Sequence, residues 1–248
     1  MNSQEISEEQ HISVVIPAYN EQARIKDFIA KVADYFQRFS YRWEVVVVDD
    51  GSIDGTAAAV ESLRKEIPQL QLVRHTTNQG KGAAVRTGLK ASRGESILFC
   101  DADGATPIEE INKFLLSSQE GAAFIIGSRH LKESRVLVEQ EWIRRWMGGI
   151  YRWLCRTFLT PNVSDITCGF KLLSRRTADL LIPRMRIHRW SFDAEMLAIA
   201  RIHQLTVKEV PVHWSDQGKT KVRLFRDTTN SFCDLVRIWI YARLGIYR

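Results

Sequence analysis

Apolar positions along the first half of the chain switch between two periods. Residues 12–17, 43–48, 70–74, 96–100 and 122–127 are short apolar or β-branched runs bounded by polar residues, and predict strands; 43–48 reads as buried on both faces. Between these runs apolar side chains recur at helical spacing. Residues 21–39 carry Ile25, Phe28, Ile29, Val32, Tyr35 and Phe36 on one face, and further helices are predicted over 56–67, 80–92 and 108–117. Pro68 stops the second helix and Gly94 ends the third. Strand and helix in alternation imply an α/β fold with a mostly parallel central sheet flanked by helices, whose ligands bind beyond the carboxyl ends of the strands.

The second half is less regular. Residues 142–158 form a basic amphipathic stretch in which Trp142, Trp146, Trp153 and Phe158 interleave with Arg144, Arg145, Arg152 and Arg156. Residues 165–173 read as a loop entering a strand, 192–202 as a helix, 207–212 as a strand and 227–244 as a second amphipathic helix. With no internal repeat, low-complexity tract or linker, residues 1–248 are expected to form one domain. Charge divides it: residues 1–124 hold 13 Lys+Arg and 18 Asp+Glu (net −5), whereas 125–248 hold 22 and 11 (net +11). A basic second half calls for an anionic partner, or is a solvated basic face. Four scattered cysteines form no Cys-x-x-Cys pair, which argues against zinc and a disulfide scaffold and for a reducing, cytoplasmic setting. No apolar run nears the ~20 residues of a membrane span.

Candidate chemistry collects where the predicted strands end. Asp101 and Asp103 leave the fourth strand as a carboxylate pair one residue apart, a donor set for a hard divalent cation or simply an Asp/Gly turn. Asp49 and Asp50 leave the second strand, to accept from a ribose or base or to cap the next helix. Gly80-Lys81-Gly82 opens a helix with free N–H groups and a cation, an anion site or a close-packing device. Tyr19-Asn20-Glu21 and Gly127-Ser128-Arg129 follow the first and fifth strands. The acids Asp193 and Glu195 begin a helix, where negative charge is favourable without function. His188, His203 and His213 share no metal-ligand spacing. The ATP-type phosphate loop, the Gly-x-Gly-x-x-Gly fingerprint and the Gly-x-Ser-x-Gly elbow are all missing.

Val14-Val15-Ile16-Pro17-Ala18-Tyr19-Asn20-Glu21, Val48-Asp49-Asp50-Gly51-Ser52 with Thr56, the segment 78–88, and Asp101-Ala102-Asp103 together resemble family 2 glycosyltransferases. Within that family, Asp101 to Thr106, Gly127-Ser128-Arg129, Asp165 to Lys171, Arg189 to Glu195 and Glu209 to Trp214 resemble the dolichyl-phosphate β-glucosyltransferases. The resemblance implies a GT-A fold and inverting transfer from UDP-glucose to a polyprenyl phosphate. It implies a nucleotide-sugar half (1–127) and an acceptor- and membrane-facing half (128–248). Pro17, Tyr19, Glu21, Asp49, Asp50, Lys81, Asp101 and Ala102 would bind the nucleotide sugar, and Asp101 and Asp103 a Mg²⁺ or Mn²⁺ ion. Arg129, Lys171, Lys219 and Lys221 would meet the acceptor phosphate. Asp101, Asp103, Asp165 and Arg129 form the catalytic set, with Asp165 the carboxylate for a hydroxyl acceptor. Eukaryotic members carry an N-terminal anchor that this sequence lacks, so peripheral contact with the cytoplasmic face of an anionic membrane is expected, through the two basic aromatic stretches. Transfer from GDP-mannose and transfer to a sugar or protein hydroxyl are alternatives. A nucleic-acid partner is not expected, since no recognisable binding motif accompanies the basic half.

Overall fold

Elements follow one another in the predicted alternation in this computed structural model, which describes residues 10–138, 142–160, 162–216 and 224–248. In chain order they are β1 (His11–Ala18), α1 (Ile25–Gln37), β2 (Arg42–Asp49), α2 (Thr56–Leu63), β3 (Leu70–Arg74), α3 (Lys81–Ala91), β4 (Ser96–Cys100), α4 (Ile111–Gln119) and β5 (Phe124–Ser128). Then come β6 (Arg135–Val138), α5 (Trp142–Phe158), β7 (Phe170–Ser174), α6 (Arg175–Leu181), α7 (Phe192–Ile202), β8 (Val207–Pro211), β9 (His213–Ser215) and α8 (Leu224–Arg243).

Seven strands form one sheet in the order β3-β2-β1-β4-β7-β5-β8. Only β7 runs against its neighbours, pairing antiparallel with both β4 and β5. The β-branched run of β2 serves both faces. Val45 and Val47 join the core under α1 and α4, Val46 and Val48 the core under α3 and α7, and all four are 0% exposed. Burying each such side chain contributes about 1.5–3 kcal/mol. In-register parallel pairing (Ala18 with Asp49, Asp49 with Arg74) brings the carboxyl ends of β1, β2 and β3 to one edge.

Two boundaries and three short elements depart from expectation. Helix α1 begins at Ile25 rather than at residue 21, because the preceding turn is tied to another loop. The Glu21 N–H donates to Thr56 Oγ1 (2.7 Å) and the Gln22 N–H to Asp54 Oδ2 (3.2 Å), while Asn20 adopts φ +53. Helix α2 ends at Leu63, four residues early. The short parallel pair β6–β9 and helix α6 carry no periodic signal long enough to be read beforehand.

Helix α8 packs on α5 and α7, and the segment after it folds back. Tyr247, 0% exposed, donates its hydroxyl to Glu195 Oε1 (2.7 Å), and its carbonyl accepts from Arg184 Nε (3.1 Å) and bonds His203 Nε2 (2.6 Å). The same Glu195 carboxylate accepts the N–H groups of Arg186 (2.8 Å) and Ile187 (2.9 Å), pinning the strap between α6 and α7. Outward, α5 and α8 expose Trp153, Phe158, Val236 and Trp239, and Leu244 just after α8 is exposed as well. No helix among the described residues is long and apolar enough to cross a membrane.

Candidate active site

The expected residues of β2, the β3–α3 loop and β4 meet at the sheet edge, and backbone hydrogen bonds set their positions. Asp50, 3% exposed, accepts from the N–H of Gln79 (2.9 Å) and of Gly80 (2.8 Å) and from Asn78 Nδ2 (3.0 Å), and bonds His75 Nδ1 (2.7 Å). Those four bonds fill a carboxylate's accepting capacity. Asp50 therefore shapes the loop that delivers Lys81 and has no oxygen left for a ribose, which corrects its expected role. Asp49 caps its own turn through the Ser52 N–H (3.0 Å) and is approached by Arg74 Nε at 3.3 Å.

Pro17 is buried in β1 opposite Val48, and Ala102 is 4% exposed in the core. Tyr19 lies half-buried just after β1. The Glu21 carboxylate pairs with Arg24, a cation that sequence reasoning left inside a helix. Asp103 and Asp101 add to Glu21 in holding the Arg24 pKa up.

Asp101 donates its N–H to Gly169 O (3.0 Å) and sets its Oδ1 2.6 Å from Lys81 Nζ. Its other oxygen lies hard against Gly169, where a Cβ would stand 2.0 Å from Oδ2. Asp103 Oδ1 accepts the Ala105 N–H (3.0 Å). Burial, then the neighbouring Asp101 charge, raises the Asp103 pKa. A pair of hard oxygen donors that repel each other suits a divalent cation. Among the described residues no group of three or more His, Cys, Asp or Glu stands together, so the protein would supply part of the shell and a substrate diphosphate and water the rest.

Lys81 is the first residue of α3, and Gly80 before it holds φ +105 with His188 O where a Cβ would be, at 2.5 Å. The Lys81 ammonium sits 5.5, 5.7 and 5.9 Å from the ring centres of Phe99, Trp190 and Phe192. Burial pulls its pKa down, but Asp101 and Asp193 together outweigh burial and raise it. The ammonium is therefore charged at neutral pH.

On the other side of β4, Arg129 forms a two-pronged pair with Asp165 (Nε–Oδ2 2.7 Å, Nη2–Oδ1 2.9 Å), to which its own N–H adds a third bond (2.9 Å). Nη2 also reaches Thr167 Oγ1 (2.9 Å), leaving Nη1 without a partner among the described residues. Behind Asp165, Glu209 accepts the N–H groups of Ser164 (2.8 Å) and Asp165 (2.9 Å). Burial favours a raised Asp165 pKa, but the Arg129 guanidinium overrides it and holds the carboxyl at about 2. With both oxygens engaged by Arg129, Asp165 fixes that guanidinium in place. Arg129 lies over Trp214, 5.2 Å from the ring centre. Trp214 lines one cleft with Asp101, Asp103, Thr106, Gly169 and Phe170, so the Arg129 cluster adjoins the acid pair.

Lys171 is a second correction. It is 0% exposed, and its ammonium donates to Asp193 Oδ1 and Cys168 O, both at 2.5 Å. A buried ammonium already neutralised does not meet an acceptor. Lys219 and Lys221 lie outside the described residues. Sequence reasoning missed Gly169, Trp214 and Trp190; the aromatics lay within quoted motifs, but nothing local marked them as site walls.

A family model for glycosyl transferase family 2 matches residues 13–181. Among curated relatives, a dolichyl-phosphate beta-glucosyltransferase of Trichomonas vaginalis is 36% identical over 96% of this chain and 74% of its own. One of Saccharomyces cerevisiae is 32% identical over 100% and 80%. Among solved structures, mannosyl-3-phosphoglycerate synthase from Rubrobacter xylanophilus superposes with a TM-score of 0.69 at 19% identity, covering 95% of this chain and 74% of its own. Glucosyl-3-phosphoglycerate synthase from Mycobacterium tuberculosis, in complex with Mn²⁺ and UDP-glucose, gives 0.64 at 19% identity over 95% and 79%. With the strand-end acids, these matches make the chain a hexose-transferring enzyme of GT-A fold, and it belongs to glycosyl transferase family 2.

Proposed function

We propose that this enzyme transfers glucose from UDP-glucose to a polyprenyl, dolichyl-type phosphate, with inversion to a β-linked product. The observation that carries the reading is the cleft in which the Asp101–Asp103 pair adjoins Trp214 and the Arg129 laid on it, cation-seeking oxygens beside a poised guanidinium. The names of the relatives matched over nearly the whole chain support the sugar and the lipid phosphate. The neighbour held with Mn²⁺ and UDP-glucose supports the donor and the cation.

Asp101 and Asp103 would hold Mg²⁺ or Mn²⁺, which when bound acts as a Lewis acid and offsets the charge of a leaving diphosphate. The remaining work falls to the chain. Tyr19, Glu21, Asp49 and the backbone at Pro17 and Ala102 border the space for uridine and ribose. Lys81 provides a fixed positive charge for the diphosphate. A phosphate monoester, with a second pKa near ~6, is already anionic at neutral pH, so attack on the sugar needs no strong base. Its oxygen bonds to C1 as the C1–O bond to UDP breaks, and the bonding pair leaves on the UDP oxygen. Arg129, oriented by Asp165, presents Nη1 to the incoming phosphate, with cationic help proposed from Lys219 and Lys221. Exposed Trp153, Phe158, Trp239 and Leu244 beside Arg152, Arg156, Arg237 and Arg243 suit peripheral contact with an anionic membrane, on its cytoplasmic face.

The test mixes purified protein with Mn²⁺ and either UDP-glucose or GDP-mannose, and adds vesicles with and without polyprenyl phosphate. EDTA-sensitive UDP release that requires the lipid phosphate is expected. GDP release instead reassigns the donor, and release that needs only a soluble acceptor overturns the lipid.

A further inference from the structure

We propose that Lys81 is the counter-ion that Asp101 keeps until the donor arrives, so that the divalent cation and the nucleotide diphosphate load cooperatively. The inference rests on the cation reading of Asp101 and Asp103 and adds an order of events to it. Asp101 has one oxygen pressed against Gly169 and the other 2.6 Å from the Lys81 ammonium. Asp103 has one oxygen engaged by the Ala105 N–H. A cation approaching the pair alone must share Asp101 with a positive charge already there, and like charges at that range repel strongly in a partly desolvated site.

Lys81 cannot simply withdraw. Its backbone sits at the first turn of α3, fixed by the Gly80 N–H on Asp50 (2.8 Å) and the Ala83 N–H on His188 O (3.0 Å). Its ammonium is ringed by Phe99, Trp190 and Phe192, and the further anion beside it, Asp193, is already paired with Lys171. A diphosphate changes the balance by bringing negative charge of its own. Lys81 turns to the phosphate oxygens, Asp101 is released to the cation, and each ligand raises the affinity for the other. Because binding linkage is reciprocal, the factor is the same from either side.

The effect of Lys81 therefore has opposite signs for the two ligands. Removing the ammonium strengthens binding of the cation alone and weakens the gain that nucleotide provides. The test is Mn²⁺ binding to the full chain, followed by electron paramagnetic resonance with and without UDP and corrected for Mn²⁺ held by free UDP. The wild-type protein should bind Mn²⁺ roughly tenfold or more tightly with UDP, within the usual range of site–site coupling. Lys81→Gln should bind Mn²⁺ alone several-fold more tightly than wild type and lose most of the UDP-dependent gain. Lys81→Arg, which keeps the charge, should leave Mn²⁺ binding alone weak. Equal Mn²⁺ affinity of wild type with and without UDP overturns the inference whether or not the variants fold, as does Lys81→Gln binding Mn²⁺ no better than wild type. Mn²⁺ binding to neither protein under any condition overturns the cation reading itself, and this inference with it.

Discussion

Two sides of the molecule are built differently. On the β2–β3 side the decisive carboxylate, Asp50, spends all four acceptor positions on its own chain, and its loop is complete before any ligand arrives. On the α5–α8 side large apolar groups face outward, with Trp153 63% and Leu244 71% exposed among arginines. One flank stores its polar capacity internally, and the other offers its apolar surface to something else. Two buried ion pairs, Lys171–Asp193 and Arg129–Asp165, are alike in charge and different in exposure. The first is sealed, while Arg129 keeps an Nη1 that has no partner among the described residues. The same kind of pair thus serves as structure in one place and as a positioned cation in another.

The largest effect that would sharpen this contrast is on stability. Lys171→Met leaves Asp193 buried without its partner, at a cost of about 3–5 kcal/mol. Urea denaturation reads the loss, and the folded fraction should bind UDP as wild type does. A drop under about 1 kcal/mol accompanied by lost acceptor affinity would return Lys171 to the acceptor site. Next comes Gly169→Ala, whose Cβ collides with Asp101 Oδ2. Displacing a site group by about 1 Å costs on the order of 10²-fold in turnover. Steady-state kinetics at saturating UDP-glucose and Mn²⁺ should show that loss with the melting temperature little changed; wild-type turnover would remove Asp101 from the site. The smallest effect concerns acid. The Asp165 pKa is depressed from 3.8 to about 2, so its stabilising pair is intact above pH ~4 and is lost as pH falls toward the folded value. That amounts to about 2 kcal/mol. Urea midpoints from pH 4.5 downward should fall more steeply for wild type than for Asp165→Asn, and equal slopes would place the acid sensitivity elsewhere.

Much of this fold was legible because its strands are apolar runs that stop abruptly at acids and glycines. Asp49, Asp50, Asp101 and Asp103 were visible as strand-end residues. Their division of labour was not, because it depends on hydrogen bonds to residues 25 to 30 positions away, such as His75 and Gly80. Lys171 misled for a related reason. In the sequence it is a cation near a glycine and a cysteine, and the acid that claims it lies 22 residues on, in α7. The direction of β7 was equally hidden, since Phe170–Ser174 is a five-residue apolar run that reads the same either way along a sheet. Arg24 shows the opposite error: periodicity placed it in a helix, whereas it lies in the turn anchored by Thr56 and Asp54, paired with Glu21.

The Tyr247 clamp bears on the order in which the parts of this fold become available during synthesis. All seven strands of the main sheet have been synthesised by residue 211, so the sheet can close while α8 is still being made. The Glu195 carboxylate, however, receives one of its three donors from residue 247. The strap it pins carries His188, whose carbonyl holds the start of α3 and so the placement of Lys81. A nascent chain thus has the strands of its sheet before the residue that completes the pin on the strap behind Lys81, and a break within α8 would leave that strap short of one of its anchors.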